Sequence, residues 1–92
     1  MKILLAEGFQ RDLAGLPVEE RRRVLEVMLL IPVAFRDPAR HSGMSLRKLH
    51  PSGIWEVRVG LGLRILLTLE PDRARMIRVT DHDGVRAYLR GV

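Results

Sequence analysis

The chain has 92 residues, which is enough for one domain with its own core but not for two, so we expect a single domain over 1–92. It has no cysteine and only three histidines, which are not spaced as a ligand set. Disulfides and thiolate metal sites are therefore excluded, and we expect neither a metal nor another cofactor.

The charge of the chain points to an anionic partner. The net charge is +5, and fourteen of the sixteen basic residues are arginine. A guanidinium group binds phosphate through two parallel hydrogen bonds, so this balance favours nucleic acid or an acidic protein as partner. A GC-rich genome would also enrich arginine, so the arginine count alone does not decide the function.

Two apolar segments fall short of what secretion or membrane insertion requires. The N-terminal segment MKILLAEGF is short and carries charges early, unlike a signal peptide. The apolar run over 24–35 is interrupted by Glu26 and Pro32 and is too short to span a bilayer. We therefore expect a cytoplasmic protein with no membrane partner.

The N-terminal third of the chain predicts a strand and a helix. The apolar run over 2–6 indicates an opening strand. Apolar side chains then recur at helical spacing over 9–16, at positions Phe9, Leu13 and Leu16, and predict a first helix there.

A second, longer helix is predicted over 18–30. Pro17 suits the first turn of a helix, because the missing N–H has no intrahelical partner at that position. An apolar stripe runs along the segment, formed by Val24, Leu25, Met28 and Leu29. Pro32 predicts that this helix ends or kinks there, and Asp-Pro and Ser-Gly pairs predict a loop over 35–44.

The most informative stretch is Ser45–Glu70. It begins with a basic patch of Arg47, Lys48 and His50, followed by predicted strands over 55–59 and 63–69. Side chains alternate between the two faces of a strand. One face of the first strand carries Trp55, Val57 and Val59 and is expected in the core. The other carries Ile54, Glu56 and Arg58, which places a carboxylate and a guanidinium two residues apart on a rigid support.

The C-terminal part predicts a third antiparallel strand and a short helix. After a turn at Pro71-Asp72, alternation over 75–80 indicates the strand. It places Ile77 and Val79 on one face, and the other face carries Met76, Arg78 and Thr80. A terminal helix over 83–89 is expected to begin at a cap, Asp81 or Asp83, and to face inward with Val85, Tyr88 and Leu89.

This order of elements predicts an α+β fold: an N-terminal strand and two helices packed on one face of a small, twisted, mostly antiparallel sheet, with a short C-terminal helix. Both long helices precede the meander of strands. We therefore expect the opposite face of the sheet to be free to bind a partner.

Three segments, LRKL, WEVRVGLGLRILL and VTDHDGV, resemble in their order and spacing the RelE/ParE toxin superfamily of bacterial type II toxin–antitoxin systems. The resemblance covers 2–89 and is closest to the RelE/HigB-like branch. It implies the RelE-like fold and a toxin that cleaves mRNA in the ribosomal A site without a metal, by attack of a ribose 2′-hydroxyl on the adjacent phosphate. It also implies three partners: a cognate antitoxin, the ribosome and mRNA.

The resemblance also implies roles for individual residues. Arg58 would hold the scissile phosphate, Glu56 would take the 2′-hydroxyl proton and His82 would protonate the leaving oxygen. Phosphate binding along the RNA would involve Arg47, Lys48, His50, Arg64 and Arg78. Many relatives carry a substrate-stacking tyrosine where this chain has Arg86, so Tyr88 would either stack on substrate or face the core.

Alternatives remain open at this point. Arg58 would otherwise cover the sheet, Glu56 would form ion pairs across it, and His82 would be a surface residue beside two aspartates. For the whole chain, one rival is a ParE-like toxin that inhibits DNA gyrase without nuclease activity. The other is a catalytically decayed relative that only binds its antitoxin. Glu56 and His82 together favour the nuclease.

Overall fold

The computed structural model describes residues 1–37 and 45–92. This part of the chain forms three helices, where apolar residues recur at helical spacing, and five strands, where most side chains alternate between two faces. The elements are β1 (Lys2–Leu5), α1 (Glu7–Ala14), α2 (Val18–Arg36), β2 (Arg47–His50), β3 (Ile54–Val59), β4 (Leu63–Glu70), β5 (Arg73–Thr80) and α3 (His82–Arg90). No helix in this described part is long and apolar enough to cross a membrane.

The five strands form one sheet in the order β1-β5-β4-β3-β2. β1 pairs parallel with β5, and the other neighbouring pairs are antiparallel. Tight turns join β2 to β3 and β3 to β4, and each contains a glycine at positive φ, Gly53 (96°) and Gly60 (66°). Side chains other than glycine rarely adopt this conformation. The predicted α+β fold with a mostly antiparallel sheet is confirmed.

α1 and α2 cover one face of the sheet and bury the larger core. We call this the helix-face cluster. Its fully buried members include Phe9 of α1, Ile31 of α2 and Val57 of β3. Trp55 packs against this cluster, and its ring meets Phe35 edge-to-face with centroids 5.3 Å apart. The predicted core face of β3 is therefore confirmed.

α3 packs on the opposite face of the sheet and forms a second, smaller core. This α3-face cluster consists of Ile54, Leu66 and Val85, with Leu49, Ile77, Tyr88 and Leu89 packed around it. The inward orientation predicted for Val85, Tyr88 and Leu89 is confirmed. The prediction that this face is free is wrong, because α3 is amphipathic and covers its centre.

Of the two outcomes predicted at Pro32, an end or a kink of the helix, the end does not occur, because α2 continues to Arg36. A proline in a helix removes one backbone hydrogen bond and crowds the preceding turn. Here packing opposes that cost, because Ile31 and Ala34 are buried and Phe35 contacts Trp55. The predicted loop over 35–44 is therefore wrong at its first two residues, and 38–44 lie outside the described part of the chain.

The pairing of β2 and β5 with their neighbours also departs from the predicted pattern. The basic patch at 47–50, to which the sequence assigned no element, is the edge strand β2. In β5, Leu66 lies opposite Arg78 while Leu67 lies opposite Met76, so Ile77 is the extra residue of a bulge. The bulge resets the alternation. Met76 therefore joins the helix-face cluster and Ile77 the α3-face cluster, contrary to the predicted faces.

Candidate functional site

A row of three directly opposed residues crosses the α3 face near the N-terminus of α3. Arg58 of β3 lies opposite Arg64 of β4, and Arg64 lies opposite Thr80 of β5. Opposed residues on antiparallel strands point to the same face with Cβ atoms about 4.5–5.5 Å apart. We call these three residues the arginine row, and it places two arginines side by side on one face of the sheet.

A second row runs beside the first and carries a carboxylate. Arg47 lies opposite Glu56, Glu56 opposite Leu66, and Leu66 opposite Arg78. We call these four residues the glutamate row. Leu66 belongs to the α3-face cluster, so both rows lie on the face that α3 partly covers. The register of β2, β3, β4 and β5, which the sequence alone did not provide, therefore determines which residues form each row.

Arg58 is the exposed member of the arginine row. Among the described residues it forms no ion pair, whereas Arg64 is paired with Glu56. An arginine without a carboxylate partner keeps its planar donor fork available for a phosphate group. Arg58 therefore remains the strongest phosphate-binding candidate.

Glu56 is buried, with 2% of its surface exposed, and its two oxygens face different arginines. Arg64 Nε lies 2.8 Å from Oε1, and Arg47 Nε donates to Oε2 at 3.0 Å. The sequence left two roles open for Glu56, a general base or a member of ion pairs across the sheet. The ion pairs are present, with Arg64 and Arg47 as partners. This arrangement favours holding arginines in place over accepting a proton from substrate.

His82 is the first residue of α3, not the last of the preceding strand, and it is exposed. Asp81 caps the helix by accepting the Gly84 N–H at 2.8 Å, which decides between the two predicted caps. A Cβ on Gly84 would lie 1.9 Å from Thr80 Oγ1, so only glycine permits α3 to approach β5 this closely. His82 follows Thr80 by two positions, so its backbone lies at the Thr80 end of the arginine row.

Two of the predicted phosphate-binding residues lie away from Arg58. Lys48 is opposite Trp55, so it points to the helix face of the sheet and not to the α3 face. His50 is opposite Ile54, at the other end of β3, and its Nδ1 accepts the Ser52 N–H at 3.1 Å. The structure therefore does not bring Lys48 and Arg58 together as one clamp.

Arg78 is engaged by a residue that the sequence did not single out, Asp12 of α1. Arg78 Nε and Nη2 donate to the two Asp12 oxygens at 2.6 and 3.0 Å, and the Val79 N–H donates to Asp12 at 3.1 Å. The hydrogen bond with Asp12 raises the pKa of Arg78. No local pattern reveals this pairing, because the partners are 66 positions apart.

Tyr88 is half-buried and packs in the α3-face cluster. This packing accounts for its position without a contact to substrate. Among residues 1–37 and 45–92, no group of three histidine, aspartate or glutamate side chains is arranged to hold a metal ion.

Comparisons with known proteins support the fold. No protein-family model and no curated protein matches the sequence. The RelB–RelE antitoxin–toxin complex from Methanococcus jannaschii is 22% identical, with a TM-score of 0.66 over 92% of this chain and 96% of that chain. The toxin–antitoxin complex RelBE2 from Mycobacterium tuberculosis is 21% identical, with a TM-score of 0.66 over 88% and 96%.

A third solved structure, YafQ from Escherichia coli strain BL21(DE3), is similar at 14% identity, with a TM-score of 0.69 over 91% of this chain and 96% of that chain. Such alignments span nearly the whole of both chains. This chain therefore has the fold of the RelE-like toxins, as its sequence motifs indicate.

Proposed function

We propose that the chain is the toxin of a toxin–antitoxin module and acts as a ribosome-dependent endoribonuclease. The observation that carries this proposal is the arginine row, which places Arg58 and Arg64 side by side next to the N-terminus of α3. The fold of RelE-like toxins and the net charge of +5 support it. The proposed cleavage is an attack of the ribose 2′-hydroxyl on the adjacent phosphate, with departure of a 5′-hydroxyl fragment.

The proposed chemistry needs charge stabilisation and two proton movements. As the 2′-oxygen attacks, negative charge develops on the non-bridging oxygens of the phosphate, and fixed cations stabilise it. Arg58 supplies an unpaired guanidinium for this charge, and Arg64 lies directly opposite it. Imidazole exchanges protons near neutral pH, so His82 is the proposed acid for the leaving 5′-oxygen, and the proton of the attacking 2′-hydroxyl passes to solvent water.

The proposed partners are a cognate antitoxin, the ribosome and its mRNA, in the cytoplasm. Two of the similar structures are antitoxin–toxin complexes, which supports an antitoxin for this chain as well. The excess of arginine suits rRNA and mRNA phosphates, whose affinity for basic proteins weakens as salt rises.

The test is to add the protein to a translation extract and map the 5′ ends of the mRNA. Cuts phased with codons are expected from the wild-type chain. Arg58→Ala is expected to lower the cleavage rate about 100-fold or more, because removing one fixed donor to a developing charge typically costs that much. Arg75→Ala is the matched control: Arg75 is an exposed strand arginine opposite Thr68, outside both rows.

Other outcomes would replace the proposal. Intact mRNA in the presence of wild-type protein, together with loss of gyrase supercoiling activity, would establish the ParE-like alternative. Loss of neither activity, with antitoxin binding retained, would establish a decayed relative. An equal loss of cleavage in Arg58→Ala and Arg75→Ala would show that the arginine row contributes no more to cleavage than another exposed arginine of the sheet.

A further inference from the structure

Glu56 is the one charged side chain that is buried among the described residues. A carboxylate removed from water is strongly destabilising unless cations and hydrogen-bond donors surround it. The fold provides two arginines from the neighbouring strands on either side, Arg47 of β2 and Arg64 of β4. Glu56 is thus the centre of a charge triad that spans three strands.

The two arginines of this triad differ in exposure. The Arg64 side chain is 12% exposed and approaches Glu56 Oε1 at 2.8 Å, whereas the Arg47 side chain is 61% exposed and donates to Oε2 at 3.0 Å. The inner pair is therefore Glu56 with Arg64. Arg47 closes the carboxylate off from solvent on the outer side.

Arg64 is also the middle residue of the arginine row. Its Nε is fully buried and lies 2.8 Å from Glu56 Oε1, a contact that is an ion pair by distance but lacks hydrogen-bond geometry. Its two terminal amino groups make no hydrogen bond with the described residues. Two guanidinium groups on opposed positions repel each other. The carboxylate one row away offsets that repulsion and restricts the Arg64 side chain to one place.

We propose that Glu56 is a positioning residue that holds Arg64 beside Arg58, so that two guanidinium groups meet one scissile phosphodiester. This inference rests on the proposed nuclease function and gives Glu56 a different task from proton transfer. Arg58 and Arg64 would touch the phosphate oxygens, and Glu56 would act only through Arg64. Each carboxylate oxygen already faces an arginine, and the side chain is buried, so a 2′-hydroxyl has little access to it.

The first experiment compares Glu56→Gln with wild type in single-turnover cleavage of ribosome-bound mRNA over a range of pH. The amide keeps the volume of the side chain and removes its charge. Loss of a group that orients a reacting residue typically costs about 10- to 100-fold in activity, and we expect that loss in the rate at saturating ribosome. The half-saturating ribosome concentration and the shape of the pH profile should stay the same.

A general base would behave differently in the same experiment. Removing it would abolish the acidic limb of the pH profile, and that result would overturn the positioning role. Glu56→Asp keeps the charge and is expected to retain more activity than Glu56→Gln. Glu70→Gln is the matched control, because Glu70 is a partly exposed carboxylate of β4 that pairs with Arg73 outside the site.

The second experiment tests whether Glu56 acts through Arg64. If it does, Glu56→Gln should lower the rate far less in an Arg64→Ala background than in the wild-type background. Arg64→Ala alone would leave the buried carboxylate with Arg47 as its one remaining partner among the described residues. The double variant removes that charge, so we expect it to be the better folded of the two. Equal losses in both backgrounds would overturn the proposal.

The third measurement does not depend on activity. Solvent exchange of the Arg64 Nε–H, followed by NMR on the full chain, should be slow in wild type and at least about 10-fold faster in Glu56→Gln, because a buried N–H held beside a carboxylate is shielded from water. Equal exchange would overturn the anchoring of Arg64. Failure of the wild-type chain to cleave mRNA would instead overturn the proposed function, while protected exchange would still support the anchor.

Discussion

The two faces of the sheet differ in what they bury. In the described part of the chain, the helix-face cluster contains eleven buried residues, all apolar, whereas the α3-face cluster contains three. The arginine and glutamate rows occupy the α3 face beside those three. Free energy from apolar burial is therefore concentrated under α1 and α2, and charged groups are concentrated on the opposite face.

This difference implies that the sheet separates the main stabilising core from the candidate site. Adjacent arginines and a buried glutamate are unfavourable neighbours for a small domain. The apolar face can compensate for them only because it packs independently, on the other side of the same strands. Substitutions on the helix face should therefore change stability most, and substitutions on the α3 face should change activity with smaller effects on stability.

The largest expected effect on stability comes from Phe9→Ala. Truncating a fully buried phenylalanine costs about 3–5 kcal/mol, a large share of the roughly 5–15 kcal/mol that stabilises a typical domain. Val85→Ala on the α3 face should cost about 2 kcal/mol at most. Urea denaturation of both variants measures the two losses, and equal losses would contradict the division between the faces.

An intermediate effect is expected from Gly84→Ala, which acts at the contact between α3 and β5. The new Cβ would meet Thr80 Oγ1 at 1.9 Å, so the N-terminus of α3 must move away, at about 1–3 kcal/mol. We expect cleavage to fall and amide hydrogen exchange in α3 to rise, while the helix-face core stays protected.

Gly15→Ala is the control for this substitution. Gly15 follows α1 with φ of −84°, and its Cβ would have no neighbour closer than 3.6 Å. That variant should be neutral or slightly stabilising. A Gly84→Ala protein with normal cleavage would show that the position of α3 does not matter to the site.

These effects also show what the sequence could and could not predict. The rule that successive side chains of a strand point to opposite faces predicted the two faces of β3 correctly, because Glu56 and Arg58 lie on a regular strand. The same rule failed for Met76, since the bulge in β5 resets the alternation and has no glycine or proline to mark it. It did not reveal the face of Lys48, because β2 is four residues long and its register is set only by pairing with β3.

The remaining features that the sequence did not predict depend on contacts between segments that are far apart in the chain. Asp12 belongs to the polar surface of an amphipathic helix, and its partner Arg78 is reached only when α1 packs against the edge of β5. The partners of the buried Glu56 likewise come from two other strands, Arg47 of β2 and Arg64 of β4. The faces of Glu56 and Arg58 were therefore predictable from the sequence, whereas the face of Lys48 and the partners of Glu56 and Arg78 depended on strand pairing and packing.

A smaller effect is expected from Asp12→Asn, which weakens the contact between α1 and β5. Hydrogen bonds to charged groups contribute about 1.5–3 kcal/mol, and the partial exposure of Arg78 reduces this to about 1 kcal/mol. Because the pKa of Arg78 is raised by its hydrogen bond with Asp12, that arginine's contribution is complete below its ordinary pKa and is lost only at more alkaline pH.

Chemical denaturation from slightly acidic to slightly alkaline pH should therefore show a constant difference between Asp12→Asn and wild type. Asp83→Asn is a matched control: Asp83 is an exposed aspartate with no ion pair among the described residues, and it should change stability less. If the stability difference between Asp12→Asn and wild type vanished at mildly alkaline pH, Arg78 would not be the charged partner that gives Asp12 its effect.

The smallest expected effect comes from Arg22→Ala, on the solvent side of α2 and away from both faces of the sheet. Arg22 pairs with Glu19 and Glu26 in an exposed setting, and such pairs contribute little. Hydrogen bonding to Arg22 lowers the pKa of Glu19. The stabilisation from the Glu19–Arg22 pair is therefore present above the ordinary pKa of a glutamate, and it is lost as the pH falls through the lowered pKa of Glu19.

Thermal unfolding at neutral pH should show a small deficit for Arg22→Ala that disappears in strong acid and in high salt, since salt screens exposed charges. Arg23→Ala removes an arginine with no ion pair in the described part of the chain and should change the unfolding temperature less at neutral pH. A deficit as large as that of Phe9→Ala would mean that surface charge, and not the apolar helix face, supplies the stability of this fold.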